Sequence, residues 1–151
     1  HANETIREKL TMANETTVIQ MFTTTVGDAG AVIDMPDDGL LMRAQLIISC
    51  NTLATDSDGF RGELSFASTS NHATNDARSV LCRAFMKGEL VGTAATYLMT
   101  QETNNIDFAD GIKVFGGERI YLHTAVMGSA IIDRAYAMLV FKFVKFTARR
   151  R

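Results

Sequence analysis

Two segments of the chain constrain its fold more than any other feature. Leu40 to Thr52 and Ala130 to Thr147 are long, carry strand-type side chains, and are apolar at both odd and even positions over much of their length. A strand with one wet face alternates apolar and polar residues; a strand covered on both faces does not. Leu40, Met42, Ala44, Leu46, Ile48 and Cys50 form one wholly apolar set, predicted to face the core, against a mixed set from Leu41 to Asn51. Met138-Leu139-Val140-Phe141 is apolar on both faces, which places the last strand centrally in a sheet or under another chain.

The rest of the chain has the same β texture. Val18 to Val26 is rich in β-branched residues, whose stiff side chains suit a pleated surface. Gly27 to Gly30 reads as a turn, Ala31 to Met35 as a short strand, and Pro36-Asp37-Asp38-Gly39 as a second turn. Phe60 to Phe66 alternates, with Phe60, Leu64 and Phe66 inward. Asp76 to Gly88 fits either a capped helix or a strand, and the β surroundings favour the strand. Leu90 to Met99 reads as a strand and Gln101 to Asn105 as a loop. Gly116-Gly117 predicts a hairpin between Ile106–Phe115 and Glu118–Met127, with Ile120, Leu122 and Val126 on one side.

About eight strands with turn signals every 8 to 15 residues predict an all-β, antiparallel, jelly-roll-like sandwich or barrel. Residues 18–151 form one β domain; 151 residues suffice for a real core. Residues 1–17 form an N-terminal arm, extended or with a short helix over 3–11. In that helix Ile6 and Leu10 would share one face, ready to lie on a neighbouring subunit. Ala-Asn-Glu-Thr occurs at Ala2–Thr5 and again at Ala13–Thr16. Met12 is therefore either a natural start or an ordinary residue.

Composition excludes several function classes. With a net charge of −2, no overall basic excess points to nucleic acid. The basic end Arg149-Arg150-Arg151 is a candidate contact for an acidic neighbour, or a solubilising tail. No apolar run approaches the length that spans a bilayer, so no membrane partner is expected. Cys50 and Cys82 lack metal or redox spacing and sit in apolar segments, as buried reduced thiols of a protein made in a cytoplasm do. His1 with His72 or His123 could in principle clamp copper through an N-terminal amine and two imidazoles, but the absence of tryptophan and of a disulfide framework argues against that class of enzyme. Asp56-Ser57-Asp58-Gly59 begins like a calcium loop and lacks the later glutamate. Neither a nucleophile elbow nor a phosphate loop is present. No cofactor, no metal and no catalytic activity are expected.

Gly116 to Ala125, the Gly128-Ser129 turn and Ala135 to Phe143 resemble the C-terminal hairpin of small β-rich structural proteins of tailed bacteriophages. That class includes capsid decoration (cement) proteins and head-fibre or tail proteins with jelly-roll-like folds, often trimeric. The Met-Ala-Asn-Glu-Thr-Thr stretch at Met12 is similar to that class as well. The resemblance implies a virion role after assembly in the host cytoplasm, contacts to the major capsid or other virion proteins, and a homo-oligomer, with a trimer favoured. A ligand-binding sandwich, such as a carbohydrate-binding module, is the alternative; it needs exposed aromatics, and the chain has no Trp and three Tyr.

Overall fold

The computed structural model describes residues 16–50, 58–68, 80–87, 100–128 and 132–144. Eight strands run through them: β1 (Thr16–Thr23), β2 (Gly27–Asp34), β3 (Gly39–Cys50), β4 (Gly59–Ser65), β5 (Val80–Lys87), β6 (Thr100–Val114), β7 (Arg119–Met127) and β8 (Ile132–Phe143). They form two four-stranded antiparallel sheets, ordered β1-β8-β3-β6 and β2-β7-β4-β5. The fold is the jelly-roll-like sandwich that the strand rhythm predicts. Val80–Lys87 is strand, which resolves the helix-or-strand choice over 76–88 within its described part.

The core lies between the sheets. β3 contributes Leu41, Ala44, Leu46 and Ile48; β8 contributes Ala135, Ala137, Leu139 and Phe141. They face Phe60, Leu64, Ile120, Leu122, Cys82, Ala84 and Met86 of the second sheet. Each fully buried Leu, Ile or Phe stabilises the fold by roughly 1.5–3 kcal/mol. At Gly62 an added Cβ would sit 2.7 Å from Ile48 Cγ2 of the facing sheet, so a side chain there would force Ile48 to shift.

Four sequence expectations change. The alternation in Leu40–Cys50 slips phase: Leu41 is buried, and so are Ala44, Leu46, Ile48 and Cys50, whereas Leu40 and Met42 are half-buried on the other side. The cause is a bulge. Met42 is an extra residue between the pairs that Leu41 and Arg43 make with β8. On β6 the same gap holds residues 108–111, since Leu41 pairs with Ile112 and Arg43 with Asp107. Second, Gln101–Asn105 is part of β6, not a loop; its polar residues lie on a sheet edge, where polarity discourages unwanted pairing. Third, Gly27–Gly30 lies within β2, where pairing to β7 shifts between Gly27 and Ala31 and Ala29 takes φ 53°.

Fourth, Gly116-Gly117 does not close a hairpin. β6 pairs with β3 and β7 pairs with β2 and β4, so the turn is a corner between the two sheets. Gly117, at φ +87°, donates to the Met35 carbonyl at 2.9 Å; Gly116 donates to Asp38 Oδ1, and Phe115 to Glu118 Oε1, each at 2.8 Å. The β7–β8 connection likewise changes sheet. Leu90–Met99 and the segment 1–15 lie outside the described residues.

Candidate functional site

The outward side chains of each sheet can be read from the register. On the first sheet, β1 buries Ile19 and Met21 and turns Val18, Gln20 and Phe22 outward. β8 buries alternate residues from Ala135 to Phe141 and turns Tyr136, Met138 and Val140 outward. Cross-strand pairing then sets three rows across all four strands. The first is Phe22–Tyr136–Ile47–Thr103, the second Gln20–Met138–Gln45–Asn105, the third Val18–Val140–Arg43–Asp107. The first two rows hold no charged residue. Phe22 is 55% exposed and Val18 52%. The Phe22 and Tyr136 rings lie 5.3 Å apart, tilted 49°. At the third row Arg43 Nε donates to Asp107 Oδ1 at 2.6 Å, in solvent. The bulge beside this pair leaves a hollow of about 410 Å³ lined by Met42, Arg43, Asp107, Phe108, Ala109 and Val140.

The second sheet's outer face exposes Val32 and Phe85 and also buries polar groups. Glu63 of β4 pairs with His123 of β7 on one side and Arg83 of β5 on the other. Glu63 is 0% exposed and His123 1%. Arg83 Nε donates to Glu63 Oε2 at 3.0 Å. The Ala29 amide donates to His123 Nδ1 at 2.6 Å, so that nitrogen is unprotonated and Nε2–H donates to the Ala67 carbonyl at 2.9 Å. Tyr121 stacks beside His123, centroids 5.8 Å apart. Farther along, Arg61 lies over the Phe85 ring at 5.6 Å, and Asp34 accepts from Arg119 at 3.0 Å. Hydrogen bonding to Tyr121, then Asp34, holds the Arg119 guanidinium above its usual pKa.

Both His123 nitrogens are committed to backbone groups, so His123 offers no lone pair to a metal, contrary to the copper pairing considered for it. His1 and His72 lie outside the described residues. So do Ile6, Leu10, Arg149, Arg150 and Arg151, and Asp56 and Ser57. Among the described residues, no cluster of three or more His, Cys, Asp or Glu could hold a metal. Cys50 and Cys82 are both buried free thiols, as expected. Burial pushes the Cys82 pKa up to about 11, and its Sγ contacts the Asn104 carbonyl at 3.7 Å.

Sequence reasoning singled out the two-faced apolar character of β3 and β8 but missed Val18 and Phe22. Their signal was an apolar residue at alternate positions of β1, read as strand texture rather than as a second face. The buried Glu63 row carried no sequence signal, because the pairing that brings Glu63, His123 and Arg83 together spans separate strands.

No protein-family model and no curated protein sequence matches the chain. Among solved structures, the chain is similar to Eiger TNF from S. frugiperda, at 8% identity and TM-score 0.42, covering 89% of this chain and 90% of that one. It is also similar to a Bacillus endospore appendage protein of disulfide-linked pili, at 7% identity and TM-score 0.28, covering 88% and 94%. A carbohydrate-binding module of a Cellvibrio mixtus lichenase, solved with cellotriose, follows at 10% identity and TM-score 0.28, covering 90% and 94%. These likenesses carry no argument about activity.

Proposed function

We propose that the chain is a non-enzymatic structural protein of a virion, of the capsid-decoration kind, that works by protein–protein contact as a homo-oligomer, with a trimer favoured. The observation that carries this reading is the uncharged, partly apolar pair of rows on the outer face of the first sheet, centred on Phe22, Tyr136 and Ile47. Depletion of charge around aromatic, aliphatic and Met side chains is the make-up of an interface centre. A contiguous exposed apolar patch on a folded domain marks a contact surface. The resemblance of residues 116–143 to tailed-phage structural proteins supplies the virion context. Assembly takes place in the host cytoplasm, and the partner is the major capsid protein or a neighbour of it.

Quantitative mass spectrometry of density-purified virions from the source tests this reading. The chain is expected at a fixed ratio to the major capsid protein. Its absence from every virion fraction would sink the proposal.

One observation favours a second reading. Phe22 and Tyr136 are adjacent aromatics on one outer face, as a sugar-binding surface requires. Their 49° tilt makes a poor flat platform. A glycan array on which Phe22→Ala abolishes a wild-type signal would favour carbohydrate binding over the virion role.

A further inference from the structure

We infer that His123 is a proton-operated latch at the edge of the second sheet. Neutral, it holds the looped residues 28–30 of β2 against β7; protonated at Nδ1, it lets them go. Such a latch works whether or not the domain belongs to a virion.

β2 carries more chain than β7 at this point. Gly27 pairs with Thr124 and Ala31 with Leu122, so three residues, Asp28 to Gly30, stand opposite the single residue His123. β2 is the outermost strand of its sheet, so the surplus residues can leave the ladder without disturbing a strand beyond them. Among them Ala29 takes φ 53°, a left-handed conformation that a residue with a Cβ disfavours. Its amide donates to His123 Nδ1 at 2.6 Å. That bond ties the loop to β7 and helps to hold Ala29 in its unfavourable turn.

An imidazole nitrogen accepts a hydrogen bond only while it carries no proton. Nε2 already donates its proton to the Ala67 carbonyl, at 2.9 Å. An added proton therefore goes to Nδ1, where it meets the Ala29 N–H, donor against donor. Charging the ring and keeping the Ala29 bond exclude each other.

The charged groups around the ring make the imidazolium reachable in the folded domain. Residues directly opposite in an antiparallel ladder hold their Cβ atoms about 5 Å apart, and Glu63 of β4 stands opposite His123. This buried carboxylate is a counter-charge for the imidazolium. Arg83 of β5, whose Nε donates to Glu63 Oε2 at 3.0 Å, opposes it. On β2, Asp28 precedes Ala29 in the loop. On β7, Tyr121 stacks beside the ring, centroids 5.8 Å apart. Two acids against one base leave the described surroundings net negative. Opening stays local, because the ring lies on the outer face while its neighbours Ile120 and Leu122 are buried in the core.

Nitrogen-15 NMR of the full chain tests the latch. At about pH 8 the ring is expected to show Nδ1 bare and Nε2 protonated, with the Ala29 amide protected from exchange. On acidification to about pH 5, across the range in which imidazoles titrate, the Ala29 protection factor is expected to fall about tenfold or more. Its midpoint should be that of the ring, while the Leu64 amide of β4 stays protected. His123→Asn offers the Ala29 amide a carboxamide oxygen that does not titrate, so its Ala29 protection factor is expected to be the same at both pH values. If that variant does not fold, His123→Gln replaces it. Four results would each overturn the latch: Ala29 stays protected after the ring is charged; the ring stays neutral in the folded domain down to about pH 5; Leu64 loses protection together with Ala29; or the carboxamide variant loses Ala29 protection as the wild type does.

Discussion

The outer faces of the two sheets both expose apolar side chains but differ in what they bury. On the first sheet, apolar side chains such as Val18 and Phe22 stand in solvent. On the second, a carboxylate and an imidazole, Glu63 and His123, are shut away from it. Burial does not follow polarity here, because two different demands shape the faces. A buried polar group is tolerable only when bonded, and His123 meets that condition at both nitrogens. An exposed apolar group is tolerable singly, and becomes informative when several line up across strands. The second face thus buries polar groups that it bonds across strands, whereas the first lines up exposed apolar ones.

That contrast can be broken at graded points. The largest effect is expected at Glu63→Ala, which strips Arg83 of its partner on the closed face. Removing one side of a buried pair costs about 3–5 kcal/mol, and the 38% exposure of the Arg83 side chain lowers the expectation to about 3 kcal/mol. Urea unfolding measures it; a loss under 1 kcal/mol would mean the row is ornamental. His123→Ala comes next, at about 2 kcal/mol, since it strands the Ala29 amide and the Ala67 carbonyl. Amide exchange at Ala29 should accelerate in the same variant.

A third test uses pH. The folded Cys82 thiol has a pKa of about 11, above the ordinary 9.0, because burial disfavours the thiolate. The neutral form is therefore favoured in the folded state. Its contribution is complete below pH 9 and drains away as pH rises toward about 11. Cys82→Ala should flatten stability over that window, and equal slopes in both proteins would refute the assignment. The smallest effect belongs to the open face. Arg43→Ala should change monomer stability by less than about 0.5 kcal/mol, since both partners of its ion pair are well exposed.

Much of this molecule was legible in its sequence. Alternation located β4, turn chemistry located the Pro36–Gly39 bend, and the double apolar set of β8 announced a strand central in its sheet. What stayed hidden shares one cause: it depends on which strand lies beside which. The phase of β3 could not be read, because a bulge at Met42 is defined only against its neighbours. Gly116-Gly117 looks the same whether it joins paired strands or turns a corner between sheets. Glu63, His123 and Arg83 are far apart along the chain, and nothing in their local sequence marks them as one row. The Phe22–Tyr136 pair belongs here too, for β1 meets β8 only after the whole domain has been threaded between them.

The sheet order has a consequence for how this domain comes into being. Of the eight strands, only β4 and β5 are both consecutive and paired. In the first sheet β8 lies between β1 and β3, so the sheet's central seam is absent until β8 leaves the ribosome. Until then β1 and β3 present unpaired edges and bare apolar faces to the cell. Such a topology defers folding until β8 has been made and makes it slow, because distant partners must meet before any of them is rewarded. Truncation anywhere within β8 should therefore yield an aggregate rather than a shortened sandwich.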